Sequence, residues 1–131
     1  MIGNIFKTEA LPYISVCITT LNRARALEKT LPALLAQDYP AERLELLLLD
    51  DGSTDDTTAV MERFAAEFRK AGYAGAAVFR NDSNRGLIAG RNFLAGKTSG
   101  LSSAMLVLDD DVYLERNTLR GLAAYFSSHS G

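Results

Sequence analysis

The sequence predicts an α/β domain built on a mainly parallel sheet with helices on both sides. Three observations lead there. Apolar runs of strand length alternate four times with segments of helical periodicity, the pattern of linked β–α units. The run Ala104-Met105-Leu106-Val107-Leu108 is apolar throughout, as a strand covered on both faces requires. Polar or acidic turns follow these runs directly, at the carboxyl ends where open α/β sheets gather their ligands.

Tyr13 to Thr19 (YISVCIT) is β-branched and apolar and reads as strand one. Ala24 to Ala36 places Leu27, Leu31, Leu34 and Leu35 on one helical face. Tyr39-Pro40 interrupts the chain before Leu44 to Leu49 (LELLLL). Leucine favours helix, but the shortness of that run and the Asp-Asp-Gly-Ser behind it favour a strand ending in a turn. The second helix is predicted from about Asp55 to Ala71, with Val60, Phe64 and Phe68 inward, Met61 and Ala65 beside them, and Gly72 as its stop. Ala76 to Phe79 makes a short third strand. A polar loop, Asn81 to Gly86, leads to a helix around Ala89 to Gly96. Strand four is Met105 to Leu108, and a last helix carries Leu119, Leu122, Ala123 and Phe126 on one face. The order βαβαβαβα describes a Rossmann-like sheet.

Composition narrows the function. Fourteen Lys and Arg against sixteen Asp and Glu leave a net charge of −2, and the basic residues are scattered. Nucleic acid is therefore not an expected partner, because backbone phosphates call for a concentrated basic face. Cys17, the single cysteine among 131 residues, rules out an internal disulfide, suits a reducing compartment and reads as a buried apolar side chain. Residues 1–12 are expected to be an N-terminal extension without signal-peptide character, and 13–131 the domain. The tail Ser127-Ser128-His129-Ser130-Gly131 has the composition of a linker, so the chain is expected to be part of a longer protein. His129 reads there as a solvated side chain.

The chemistry concentrates in three turns. Thr19-Thr20-Leu21-Asn22 follows strand one. Asp50-Asp51-Gly52-Ser53-Thr54-Asp55 follows strand two, and Asp109-Asp110-Asp111 follows strand four. Gly52 allows a bend that a side chain would obstruct. One of Ser53, Thr54 and Asp55 is expected to cap the next helix, which leaves Asp50 and Asp51 to be explained. Three consecutive carboxylates raise one another's pKa unless a cation neutralises them. A divalent metal holding a phosphate is one such cation; a solvated acidic turn, or an acidic bias toward the following helix, is the alternative.

Taken together, ISVCITTLNR, LLLLDDGSTDDT, NRGLIAGRN and LVLDDDVYL resemble the nucleotide-binding part of a family 2 glycosyltransferase with the GT-A fold. The resemblance spans about Ile14 to Leu119 and keeps the family's motif order. Singly, the Asp-x-Asp pattern is a weak signal; the four motifs on one βαβα background are a strong one. The resemblance implies transfer of a sugar, with inversion, from a nucleoside-diphosphate sugar to an acceptor hydroxyl. The nucleotide would be UDP, with dTDP and GDP as alternatives. Asp51 would bind the base, Thr19 and Leu21 would line its pocket, and Asp50 would support the turn. Asp111 would be the direct ligand to Mn²⁺ or Mg²⁺, and Asp109 or Asp110 would reach the ribose or sugar; Asp109 is the second candidate metal ligand. Gly86, Arg91 and Asn92 match the loop and helix start beside the donor. Arg91 is left between two roles, a contact to the diphosphate and an ion pair with a carboxylate.

By the same resemblance the acceptor would be a glycan, a lipid-linked group or a protein, and the enzyme cytoplasmic, acting at the membrane face. The family's general base lies well beyond the metal motif, so no residue of this chain takes that role. The family's proline shortly after the metal motif is replaced around Arg116, a departure expected to be neutral. The alternative class is a GT-A-like module that binds a nucleotide-sugar or a protein without turnover. Other nucleotide folds fit worse. GRNFLAGKT at 90–98 places five residues, not four, between its glycines and ends a helix instead of opening one. No Gly-x-Gly-x-x-Gly follows strand one.

Overall fold

The computed structural model describes residues 11–129; the sequence-predicted extension before Leu11 and the terminal Ser130-Gly131 lie outside them. The elements run β1 (Ile14–Thr20), α1 (Ala24–Leu35), β2 (Leu44–Asp50), α2 (Thr57–Lys70), β3 (Gly75–Arg80), α3 (Leu87–Ala95), β4 (Ala104–Leu108) and α4 (Thr118–His129), with one 3₁₀ turn at Ala41–Arg43. Every strand pairing is parallel, and the order across the sheet is β3-β2-β1-β4. Strand order therefore reverses on either side of β1. The crevice of such a sheet opens at that reversal, beyond the carboxyl ends of the strands.

Alternation of side chains along the strands divides the core in two. Ile14, Val16 and Ile18 of β1 join Leu44, Leu46 and Leu48 of β2 under Leu27, Leu31 and Leu34 of α1 and Val60, Met61, Phe64, Ala65 and Phe68 of α2. Leu119 and Ala123 of α4 complete this larger layer. On the other face Cys17, Leu47 and Leu49 meet Leu94 of α3, with Ala77, Phe79 and Met105 at the margin. Burial, and secondarily the charge of Glu45, push the Cys17 thiol up to about 12, which keeps it protonated and packed as an apolar group. Among the described residues, no helix is long and apolar enough to cross a membrane.

Boundaries moved where local hydrogen bonding overrides apolar pattern. β1 extends to Thr20 and β2 to Asp50, because Thr20 and Asp50 are the last register partners of the β1–β2 ladder. Helix α2 begins at Thr57, two residues later than the acidic pattern implied, since Asp55 sits outside it and accepts from the Thr57 N–H at 2.9 Å. Two expectations for the C-terminal segment need correction. Ser127, Ser128 and His129 continue α4 instead of forming a linker. The apolar face predicted for that helix is only half used: Leu119 and Ala123 are buried, while Leu122 and Phe126 are exposed. At the other end, Leu11 packs on the core and Pro12 accepts the Tyr39 hydroxyl, so these two residues pack with the domain.

Candidate functional site

All three sequence-predicted turns meet at the carboxyl ends of β1, β2 and β4. A cavity of about 280 Å³ opens there, lined by Thr19, Thr20, Leu21, Asp51, Asn84, Gly86, Leu87 and Asp110. A larger cleft of about 780 Å³ lies elsewhere, lined by Tyr13, Arg43, Ser99 and neighbours, and none of the acidic turns reaches it. The smaller cavity thus carries the chemistry.

Asp50 and Asp51 are adjacent in sequence and do different work. The last residue of β2, Asp50, is fully buried; its carboxylate accepts the Ser53 N–H at 2.8 Å, the Thr58 hydroxyl, and Arg80 Nη1 at 2.8 Å. Arg80 also donates to the Ser53 carbonyl at 3.0 Å, strapping the end of β3 to the turn. Burial alone would raise the Asp50 pKa, but the bonds from Ser53 and Thr58, with Arg80 beside it, hold it below the usual carboxylate range.

Asp51, 3% exposed, faces the loop after β3. It accepts from Asn81 Nδ2 at 2.9 Å, from the Arg85 N–H at 2.9 Å and from the Gly86 N–H at 3.0 Å. Its pKa is lowered as well, burial being outweighed by these three donors. Gly52, at φ +95°, lets that loop come close; a Cβ there would lie 3.1 Å from the Ser83 carbonyl carbon and 3.2 Å from the Asn84 nitrogen. Asp51 therefore fastens the 81–86 loop beside the cavity, a role absent from the sequence reading.

β1 connects the two acidic turns. The Thr20 carbonyl accepts the Asp51 N–H at 2.9 Å, and its hydroxyl donates to Asp110 at 2.5 Å. Thr30 of α1 holds the Asp110 carbonyl at 2.6 Å. Of the acidic triplet, Asp110 is the residue that lines the cavity; Asp109 and Asp111 present more exposed side chains, at 62% and 56%. Arg91 Nη2 pairs with Asp109 at 3.1 Å, so in this structure the ion pair is the role Arg91 fills. Its Nε, and the Thr19 hydroxyl on the cavity wall, are buried without a hydrogen-bond partner among the described residues. Gly90 explains the tight wall around Thr19: a Cβ at Gly90 would fall 2.5 Å from Thr19 Cγ2.

Thr20, Asn22, Arg23, Arg80 and Asn81 were given no individual role by sequence, although all contribute here. Asn22 and Arg23 sit inside a quoted motif; the signal that could have found Arg23 is that a crowded acidic turn needs counter-charge nearby. Among the described residues, no three His, Cys, Asp or Glu side chains form a ready cage for a metal. The donors at Asp109, Asp110 and Asp111 are nonetheless all carboxylate oxygens, which suit a hard cation such as Mg²⁺. Such an ion takes one or two carboxylates and completes its shell with substrate phosphates and water, so the residue set fits a shared metal site.

The sequence pattern described as Glycosyl transferase family 2 matches residues 15–130. The glycosyltransferase AglE of Haloferax volcanii is 32% identical over 99 residues, which are 76% of this chain and 31% of AglE. The crystal structure of Staphylococcus aureus TarS in complex with UDP-GlcNAc superposes with a TM-score of 0.76 at 27% identity, covering 88% of this chain and 31% of that one. A mannosyltransferase from Pyrobaculum calidifontis, in complex with GDP-Man and Mn²⁺, gives a TM-score of 0.69 at 26% identity over 77% of this chain and 28% of its own. The chain spans about a third of the length of the first two curated relatives it matches, 31% and 35%.

Proposed function

This chain belongs to glycosyl transferase family 2, and from that premise we propose that it is the donor-binding part of an enzyme moving a sugar from a nucleoside-diphosphate sugar to an acceptor hydroxyl. One observation carries the reading: Asp51 and Asp110, from the turns after different strands, line one cavity at the switch point of a parallel sheet. A base fits the Asp51 end, where Thr19, Leu21, Gly86 and Leu87 supply walls. After its three internal donors, the Asp51 carboxylate retains acceptor capacity on Oδ2, enough for one base N–H. The diphosphate then runs toward Asp109, Asp110 and Asp111, and Arg91 stands at that edge. TarS with UDP-GlcNAc and the Pyrobaculum enzyme with GDP-Man and Mn²⁺ support a nucleotide-sugar donor, and UDP is the nucleotide we favour.

Asp111, with Asp109 as second ligand, would hold Mn²⁺ or Mg²⁺. When bound, such an ion stabilises the charge that builds on a departing nucleoside diphosphate. The residues of this chain bind and orient the donor; the base that deprotonates the acceptor belongs to the rest of the protein. Reaction at the anomeric carbon is then a single in-line displacement with inversion, on a glycan, lipid-linked or protein acceptor at the cytoplasmic face of a membrane.

The test is a thermal-shift series with UDP, dTDP, GDP and CDP, each with and without Mn²⁺, on this chain and on the full-length protein. A nucleotide at 100 times its Kd stabilises the folded state by about 2.7 kcal/mol. We expect one nucleotide to stabilise both proteins, with a Mn²⁺-dependent part that Asp111→Ala removes. Failure of every nucleotide on both proteins would refute donor binding.

A further inference from the structure

Arg23 ends the short turn that follows β1, and the backbone there is held from two sides. Asn22 adopts φ 53°. Its N–H donates to Ser53 Oγ at 2.9 Å, and its side-chain oxygen accepts the Thr54 N–H at 2.8 Å. The Arg23 N–H donates to Thr57 Oγ1 at 3.0 Å. These bonds tie the turn to the start of α2 and direct the Arg23 side chain across the strand ends. Its Nη2 lies 3.4 Å from Asp110 Oδ1 and 3.3 Å from Asp111 Oδ2, bridging two carboxylates. Asp109 is matched separately by Arg91. Two guanidinium charges thus offset two of the triplet's three negative charges, which reduces the repulsion that three adjacent carboxylates would otherwise carry.

A divalent ion held by Asp111 would compete with the Arg23 guanidinium for the same carboxylate. We propose that Arg23 is the resident counter-ion of the 109–111 turn and that a divalent cation binds there by displacing it. The inference rests on the reading of Asp111 as a metal ligand. Arg23 acts through the carboxylates and is a positioning residue. Exposure makes the exchange easy: the side chains of Arg23 and Asp111 are 47% and 56% exposed, and ion pairs of that kind contribute about 0.2–1 kcal/mol. Losing the competitor should therefore tighten metal binding by up to about fivefold, since 1.4 kcal/mol is tenfold.

The experiment is a nucleotide-free Mn²⁺ titration of the chain, read from the loss of the free-ion electron paramagnetic resonance signal. Wild type is compared with Arg23→Gln, Arg23→Lys and Asp111→Asn, each checked for folding by circular dichroism. Arg23→Gln should bind Mn²⁺ about 1.4- to fivefold tighter, Arg23→Lys should stay close to wild type because it keeps the charge, and Asp111→Asn should lose binding. A residue that merely shaped the turn would weaken the site when removed, the opposite sign. Equal or weaker binding by Arg23→Gln overturns the proposal. Absence of binding in wild type and all variants removes the metal reading itself, and this inference with it.

Discussion

Replacing Asp51 by Asn changes a single non-hydrogen atom and should still detach a loop. The wild-type carboxylate receives three N–H donors, from Asn81, Arg85 and Gly86. An amide keeps one acceptor oxygen, which can retain Asn81 and Arg85, but its NH₂ group then confronts the Gly86 N–H, donor against donor. One charge-assisted bond is lost, at about 1.5–3 kcal/mol, and two others fall to neutral strength, at roughly half their former value. Gly86 N–H also reaches Asn84 Oδ1 at 2.9 Å, which limits the damage. The net cost should be about 2–5 kcal/mol at pH 7. Urea denaturation of both proteins measures it, and hydrogen exchange at the Arg85 and Gly86 amides locates it.

The pH dependence of that difference has a definite sign. The folded pKa of Asp51 is depressed, so its stabilisation is fully present above the unfolded carboxylate value of about 3.9 and is lost as pH falls through the folded value. The gap between wild type and Asp51→Asn should accordingly close in acid. A difference below about 0.5 kcal/mol, the range of neutral surface changes, with unchanged amide exchange would refute the anchoring of the loop by Asp51.

Two further predictions concern close approaches. Gly52→Ala should destabilise by about 2–4 kcal/mol, combining the left-handed strain of a non-glycine residue with contact against the Ser83–Asn84 backbone; a chemical denaturation midpoint within error of wild type would count against it. Gly90→Ala should cost about 1–3 kcal/mol by driving its methyl into Thr19, and Thr19→Ala in the same chain should recover much of that loss. A double-mutant cycle without coupling between the two positions would show that Thr19 does not form the wall against α3.

The fold was legible because its signals are local. Leu27, Leu31 and Leu34 repeat at helical spacing and are all fully buried, and the apolar strand runs stop at turn residues. The end of the chain was less legible. Leu122 and Phe126 carry the same periodic signal as Leu119 and Ala123, yet periodicity reports which residues share a face and is silent on whether anything covers it. At the site, the acidic residues could be named from sequence because three turns at strand ends attract notice. Their partners could not. Arg23 reaches Asp111 across 88 positions, and Arg80 reaches Asp50 across 30; such pairings exist only once strand order is known, and composition gives no hint of it. The Asp51 grip on the 81–86 loop was hidden for a related reason, since two of its three donors are backbone N–H groups that every non-proline residue possesses.

Because β1 lies between β2 and β4, its ladders act as a ruler between the two acidic turns. Thr20 is opposite Asp50 on one side, and Ile18 is opposite Leu108 on the other. A slip of one residue in the β4 pairing would move Asp110 by about 3.3 Å along the strand and turn its side chain to the other face. The apolar strand could still pack, since a run such as Ala104–Leu108 offers hydrophobic side chains in either register. A misregistered molecule would therefore remain collapsed and helical while having no site. For this architecture, nucleotide affinity is a more exacting measure of correct assembly than compactness or helix content, and fractional binding stoichiometry in a folded preparation would reveal molecules trapped in the wrong register.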